Sequence, residues 1–108
     1  MIDFHNFNAP KSPNYYLLAP ENYAIKGTAL SPVYDFSITK LMQRWHIAIN
    51  TLPRLTLLHQ DDSRHYYEYK QVSKVFRFPD FIDCELISLP HNKSTLILYS
   101  RAKYGYSD

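Results

Sequence analysis

The chain has 108 residues, a length that indicates one domain on a scale of roughly 100–200 residues per domain. Hydrophobic residues make up 45% of it and charged residues 20%, which excludes the disordered class. The net charge of +2 is far below the concentrated positive charge of proteins that bind duplex nucleic acid, so no such partner is expected. The single cysteine, Cys84, excludes an internal disulfide and a thiolate zinc cluster.

The N-terminus has none of the features of a secretory signal, since residues 1–8 contain an acid and no apolar run. Nor does any stretch approach the roughly 18 apolar residues that predict a membrane span. The sequence therefore predicts a soluble, cytoplasmic protein.

Residues 1–34 are predicted to form an ordered N-terminal arm that packs on a single domain of residues 35–108. Four prolines in this stretch, Pro10, Pro13, Pro20 and Pro32, exclude a long helix. The apolar and aromatic side chains between Tyr15 and Ile25 would cover part of a core, because a structureless tail rarely exposes so many of them.

One helix is predicted between Ser37 and Asn50. Its apolar side chains recur at the i, i+3, i+4, i+7 spacing of one helical face. Asp35 or Ser37 would cap its first turn, and Pro53 would prevent its continuation. We expect Trp45, at the centre of this face, to be buried against a sheet. The face comprises Ile38, Leu41, Met42, Trp45, Ala48 and Ile49.

After Pro53 the pattern changes to strands. Two alternating runs, residues 54–60 and 64–71, flank a short polar turn and predict a hairpin. Residues 82–89 and 95–101 predict a second hairpin, and residues 75–80 predict a further strand that Pro79 would end. The predicted fold class is α+β, with one helix packed on an antiparallel sheet of four to five strands.

Two segments resemble a bacterial and plant family known as domain of unknown function 1499. Residues 73–83 resemble its Phe-Arg-Phe-x-Asp-Asp run, and residues 100–108 resemble its Ser-x-Ser-Arg-x-Gly-Tyr-Ser-Asp signature. Residues 12–14 and the helix with Trp45 lie where the family has a Ser-Pro-Asn segment and a Trp-bearing helix. The chain departs from the pattern at Ala102 and Lys103, which replace a serine and an arginine. The family implies no activity, so the resemblance supports a fold and a location of interest.

The strongest candidate site combines two cations, two carboxylates and a phenol around these segments. Such a set could hold a polar or anionic ligand through charge-assisted hydrogen bonds. Alternatively, the same charges could pair with one another and only fasten a strand end. The candidate ligand-binding residues are Arg77, Asp80, Lys103, Tyr106 and Asp108.

A second polar group lies around the first hairpin, where two histidines and two acids could in principle bind a metal. Asp and Ser are ordinary turn residues, so we expect a solvated turn there instead. Cys84 alternates with Ile82 and Leu86 and is expected to be a buried small hydrophobe. No catalytic residue, metal or cofactor is predicted. The group at the hairpin is His59, Asp61, Asp62 and His65.

The sequence favours a small binding or accessory domain whose partner is a polar small molecule or a protein, with a homo-oligomer as a further expectation. One alternative is a small hydrolase that uses Asp80 and Asp108 as an acid and base pair. A second is a protein-interaction module that presents strand tyrosines, and the same aromatic residues could stack on single-stranded nucleic acid.

Overall fold

The structure, a computed structural model, describes residues 1–7, 15–21, 29–73 and 79–102. It has one α-helix and a six-stranded mixed sheet in the order β2-β1-β6-β5-β4-β3. The strands are β1 (Tyr15–Ala19), β2 (Ala29–Leu30), β3 (Leu55–Asp61), β4 (Tyr66–Val72), β5 (Pro79–Leu89) and β6 (Lys93–Ala102). The α+β class is confirmed, since the helix α1 (Ile38–Ile49) packs on one sheet face.

The predicted strand number and the purely antiparallel sheet are wrong, because the N-terminal part of the chain contributes two strands. β1 pairs antiparallel with β6, with Tyr16 opposite Ser100, and β2 then pairs parallel with β1. Residues 8–14 and 22–28 lie outside the described residues, so the arm as a whole stays a prediction.

The helix begins and ends close to the predicted positions. The Ser37 hydroxyl accepts a hydrogen bond from the Lys40 backbone N–H at 3.3 Å and so satisfies one free donor of the first turn. Leu41 and Ile49 are buried against the sheet. Trp45 packs against the same core but is only partly buried, which corrects the expectation of full burial.

Both predicted hairpins are present. β3 and β4 pair around a short 3-10 helix at Asp62–Arg64, and β5 and β6 pair from Asp80 opposite Ala102 to Leu89 opposite Lys93. In the described residues β5 begins at Pro79, a position where its missing N–H removes no interior ladder bond. Of the further strand predicted at residues 75–80, residues 79 and 80 belong to β5, and residues 75–78 lie outside the described residues.

Side chains from both sheet faces are buried. On the helix side, Tyr67 and Tyr69 of β4 pack with apolar residues of β5, β6 and α1. On the opposite side, Tyr66 and Tyr99 pack with Phe4, which belongs to a short 3-10 helix at Phe4–Asn6. No helix in the described parts of the chain is long and apolar enough to span a membrane.

Candidate functional site

The site predicted from sequence falls mainly outside the described residues. This applies to Arg77, Lys103, Tyr106 and Asp108, so the ligand site and the acid and base pair stay predictions. Asp80 is described and exposed near the start of β5. It pairs with Ala102, so the two segments that carry the family resemblance lie side by side in the sheet where they are described.

Strand alternation places the Asp80 side chain on the sheet face against which the helix packs. Ile82, two residues further along β5, lines a cavity beneath α1, and side chains two residues apart on a strand share a face. Asp80 therefore lies two residue pairs beyond the Ile82 and Ser100 pair. The predicted carboxylate thus stands beside an apolar cavity of the described structure.

That cavity forms one end of a groove between α1 and the sheet, where β5 and β6 contribute to its wall. It has a volume of about 290 Å³, and its wall is mostly hydrocarbon, with Ser100 among the lining residues. The helix contacts both β5 and β6. The apolar lining consists of Trp45, Ala48, Ile49, Leu52, Ile82 and Leu98.

A second cavity of about 360 Å³ lies beside the first and forms the other end of the groove. The two cavities share Trp45, Ala48 and Leu98 in their walls. Together we call them the helix-side groove. The second cavity is lined in addition by Leu18, Tyr34, Phe36, Leu41, Arg44 and Leu96.

The small side chain at Ala48 and the partial burial of Trp45 keep this groove open. Ala48 is exposed although it falls on the apolar stripe of the helix. The indole of Trp45 is held by a hydrogen bond from its Nε1 to the Tyr69 hydroxyl at 3.0 Å. This hydrogen bond fixes the indole ring at one edge, and the ring lines both cavities of the groove.

Positive charge is concentrated at the second cavity. The Arg44 guanidinium lies over the Phe36 ring at 4.9 Å, and the Lys40 ammonium lies 5.8 Å from the same ring. Neither cation is ion-paired with a carboxylate in the described part of the chain. The groove is therefore mostly apolar, with the Arg44 cation in the wall of its second cavity and the Lys40 cation near the Phe36 ring of that wall.

The opposite sheet face carries a buried polar network that sequence reasoning missed. Asp83 is 0% exposed, and its two carboxylate oxygens accept hydrogen bonds from the Tyr66 hydroxyl and the Arg101 guanidinium. Arg101 also lies 3.6 Å from Glu68, and its guanidinium stands over the rings of Tyr99 and Phe81. In the described residues every buried polar side-chain atom has a hydrogen-bond partner, and this network supports the fold.

The N-terminal residues are hydrogen-bonded to the same network. The Ile2 backbone N–H donates to the Tyr66 hydroxyl at 3.0 Å, and its carbonyl accepts from Arg64 at 2.8 Å. Arg64 also bonds Glu85 at 3.2 Å. Burial and the adjacent Asp83 carboxylate raise the pKa of Tyr66, which keeps its hydroxyl protonated as a donor.

One sequence signal for this network was available. Asp83 stands between Ile82 and Cys84 in an apolar strand, and a carboxylate in such a position must be exposed or paired. Whether it is exposed depends on what covers the second face, and that cover comes from Phe4, far away in the sequence.

The polar group at the first hairpin is occupied by local contacts. The Asp61 carboxylate accepts from the backbone N–H and the hydroxyl of Ser63, which lowers the pKa of Asp61. The His59 Nε2 lies 3.7 Å from a Glu68 carboxylate oxygen. Within the described ranges, no three His, Cys, Asp or Glu side chains group as metal ligands.

Of the remaining sequence candidates, Cys84 and three strand tyrosines are buried. Cys84 is free and buried, as expected, and burial raises the pKa of its thiol well above the ordinary value. Tyr66, Tyr67 and Tyr69 are buried and cannot stack on bases or contact a partner. Tyr16, at 44% exposure, is the most accessible strand tyrosine in the described parts of the chain.

Comparison of the chain with protein-family models, with curated proteins and with solved structures gives no match. The resemblance to the domain of unknown function 1499 family accordingly stays a prediction.

Proposed function

We propose that the protein is a small binding domain that takes the apolar part of a small molecule into the helix-side groove. The observation that carries this proposal is an open, hydrocarbon-lined groove in a chain of only 108 residues. Ligand sites in proteins are concave, mostly apolar and of about 300–1,000 Å³, and the two adjoining cavities fall at this scale.

The energetics favour an apolar ligand. Each methylene transferred from water into such a groove contributes about 0.8 kcal/mol. The groove also exposes the side chains of Trp45, Leu98 and Leu52, which a ligand would remove from water. Most of the groove wall comes from α1 and the central strand β6, so little ordering cost is expected on binding.

This proposal keeps the expectation of a binding domain and changes the expected ligand. A polar group could still extend toward Asp80 at the end of the groove, but the part held between helix and sheet would be hydrocarbon. The hydrolase alternative, the homo-oligomer and the cytoplasmic location stay predictions.

Trp45 provides the test, because it is the chain's single tryptophan and lines both cavities. We would titrate the protein with dodecanol, kept below its solubility limit, and follow indole fluorescence together with calorimetry. We expect saturable binding with one ligand per chain and a blue shift of the emission.

The variant Ala48→Phe should fill the groove from the helix and weaken dodecanol binding at least tenfold. Its matched control is Ile47→Phe, which places the same ring on a neighbouring helix position that is 72% exposed and does not line the groove. Circular dichroism would check that both variants fold. Absence of saturable binding, or equal affinities of the two variants, would refute the proposal.

A further inference from the structure

We infer that the ligand of the helix-side groove is an aliphatic carboxylate, whose chain lies along the groove and whose carboxylate binds between Arg44 and Lys40. This inference rests on the proposed function and names the chemical class of the ligand. The first observation is a row of three side chains along α1 beside the groove. Lys40, Arg44 and Ala48 are spaced four residues apart and so lie on one face of α1.

This row of side chains is positively charged at one end and apolar at the other. Its cations stand beside Phe36 at the second cavity, whereas Ala48 borders both cavities and leaves room for hydrocarbon. A molecule bound along this row would contact positive charge at one end and an apolar wall along the rest. An amphiphile with an anionic head and a hydrocarbon tail matches that order.

Neither cation is ion-paired with a carboxylate of the described residues. Other arginines of the described chain are already engaged: Arg64 bonds Glu85, and Arg101 bonds Asp83. Arg44 is exposed, stacks on Phe36 and has no carboxylate partner among the described residues. Stacking on the ring holds the guanidinium plane and leaves its N–H donors free for a carboxylate, which Arg binds in a two-pronged geometry.

The far end of the groove favours the same orientation. Asp80 lies on the groove's sheet face, beyond the Ile82 and Ser100 pair, and its negative charge would repel a second anion there. The carboxylate is thereby directed to the Arg44 end and the tail toward Leu52 and Ser100. A cationic amphiphile would meet the opposite arrangement and should bind poorly.

The experiment compares three ligands of equal chain length: dodecanoate, dodecanol and dodecylamine, each below its aggregation concentration. We expect dodecanoate to bind roughly three- to tenfold more tightly than dodecanol, as a partly exposed charge-assisted hydrogen bond allows, and dodecylamine to bind most weakly. Arg44→Gln should bring the ratio of the dodecanoate and dodecanol affinities close to one. Arg44→Lys should restore part of the preference for dodecanoate, because the charge is kept.

Lys70→Gln is the matched control, since it removes one positive charge from β4 on the sheet face opposite the groove. It should leave the preference intact. If dodecanol and dodecanoate bind equally, the inference fails while the proposed function stands. If neither binds, the proposed function itself fails. If monomeric dodecanoate does not bind but the protein sediments with anionic phospholipid vesicles, the site is a membrane-surface contact and the inference is overturned.

Discussion

Replacing Arg101 with Met tests whether the network on the second sheet face stabilises the fold. Removal of one partner from a buried ion pair leaves the other charge uncompensated and costs about 3–5 kcal/mol. Asp83 is 0% exposed but would keep its hydrogen bond from Tyr66, and the Arg101 side chain is 24% exposed. We therefore expect Arg101→Met to lower the free energy of unfolding by about 2–4 kcal/mol, somewhat below the range for fully buried pairs.

The assay is urea unfolding, followed in parallel by Trp45 fluorescence and far-ultraviolet circular dichroism. A double-mutant cycle with Asp83→Asn isolates the pair, since the combined variant should lose less stability than the two single losses together. Lys93→Met removes an exposed cation from the same strand and should change stability by less than about 0.5 kcal/mol. An Arg101→Met loss no larger than that of Lys93→Met, with no coupling in the cycle, would refute the reasoning.

Three further predictions concern stability. Trp45→Ala should cost about 2–4 kcal/mol, slightly less than a fully buried aromatic, because Trp45 is partly exposed. This cost includes the loss of the hydrogen bond to Tyr69. A loss below about 1 kcal/mol in urea unfolding would contradict the packing of the helix. Phe4→Ala should cost about 3–5 kcal/mol, because this fully buried ring covers Tyr66; unchanged stability would show that residues 1–7 do not contribute to the core. Burial raises the pKa of Tyr69 from 10.0 to about 12, despite the opposing hydrogen bond from Trp45, so its contribution to stability is complete below pH 10 and lost as the pH rises toward 12. Circular dichroism across this range should show alkaline unfolding, and constant stability up to pH 12 would contradict it.

The helix and the two hairpins could be predicted because their signals are local. The apolar period between Ile38 and Ile49, with a serine before it, predicts a capped helix. The polar turns before β4 and before β6 likewise lie within a few residues of the strands that they join. Such patterns are complete within one segment and need no knowledge of the rest of the chain.

The six-stranded sheet could not be predicted in the same way. The short run Tyr15–Ala19 is compatible with a strand, but only its pairing with β6, more than 80 residues later, makes it one. The two residues of β2 have no strand signal of their own and depend on the backbone groups that β1 presents.

The sequence by itself determined the α+β class, the position of the helix and the burial of Cys84, because periodicity and residue type decide these locally. Only the tertiary structure decided the burial of Asp83 and the open groove beside Trp45. The reason is that each depends on what packs on a sheet face: Phe4 packs on Tyr66, the hydrogen-bond partner of Asp83, on one face, and α1 borders the two cavities on the other. Which segment packs on a sheet face depends on residues distant in sequence, so no local pattern of residues predicts it.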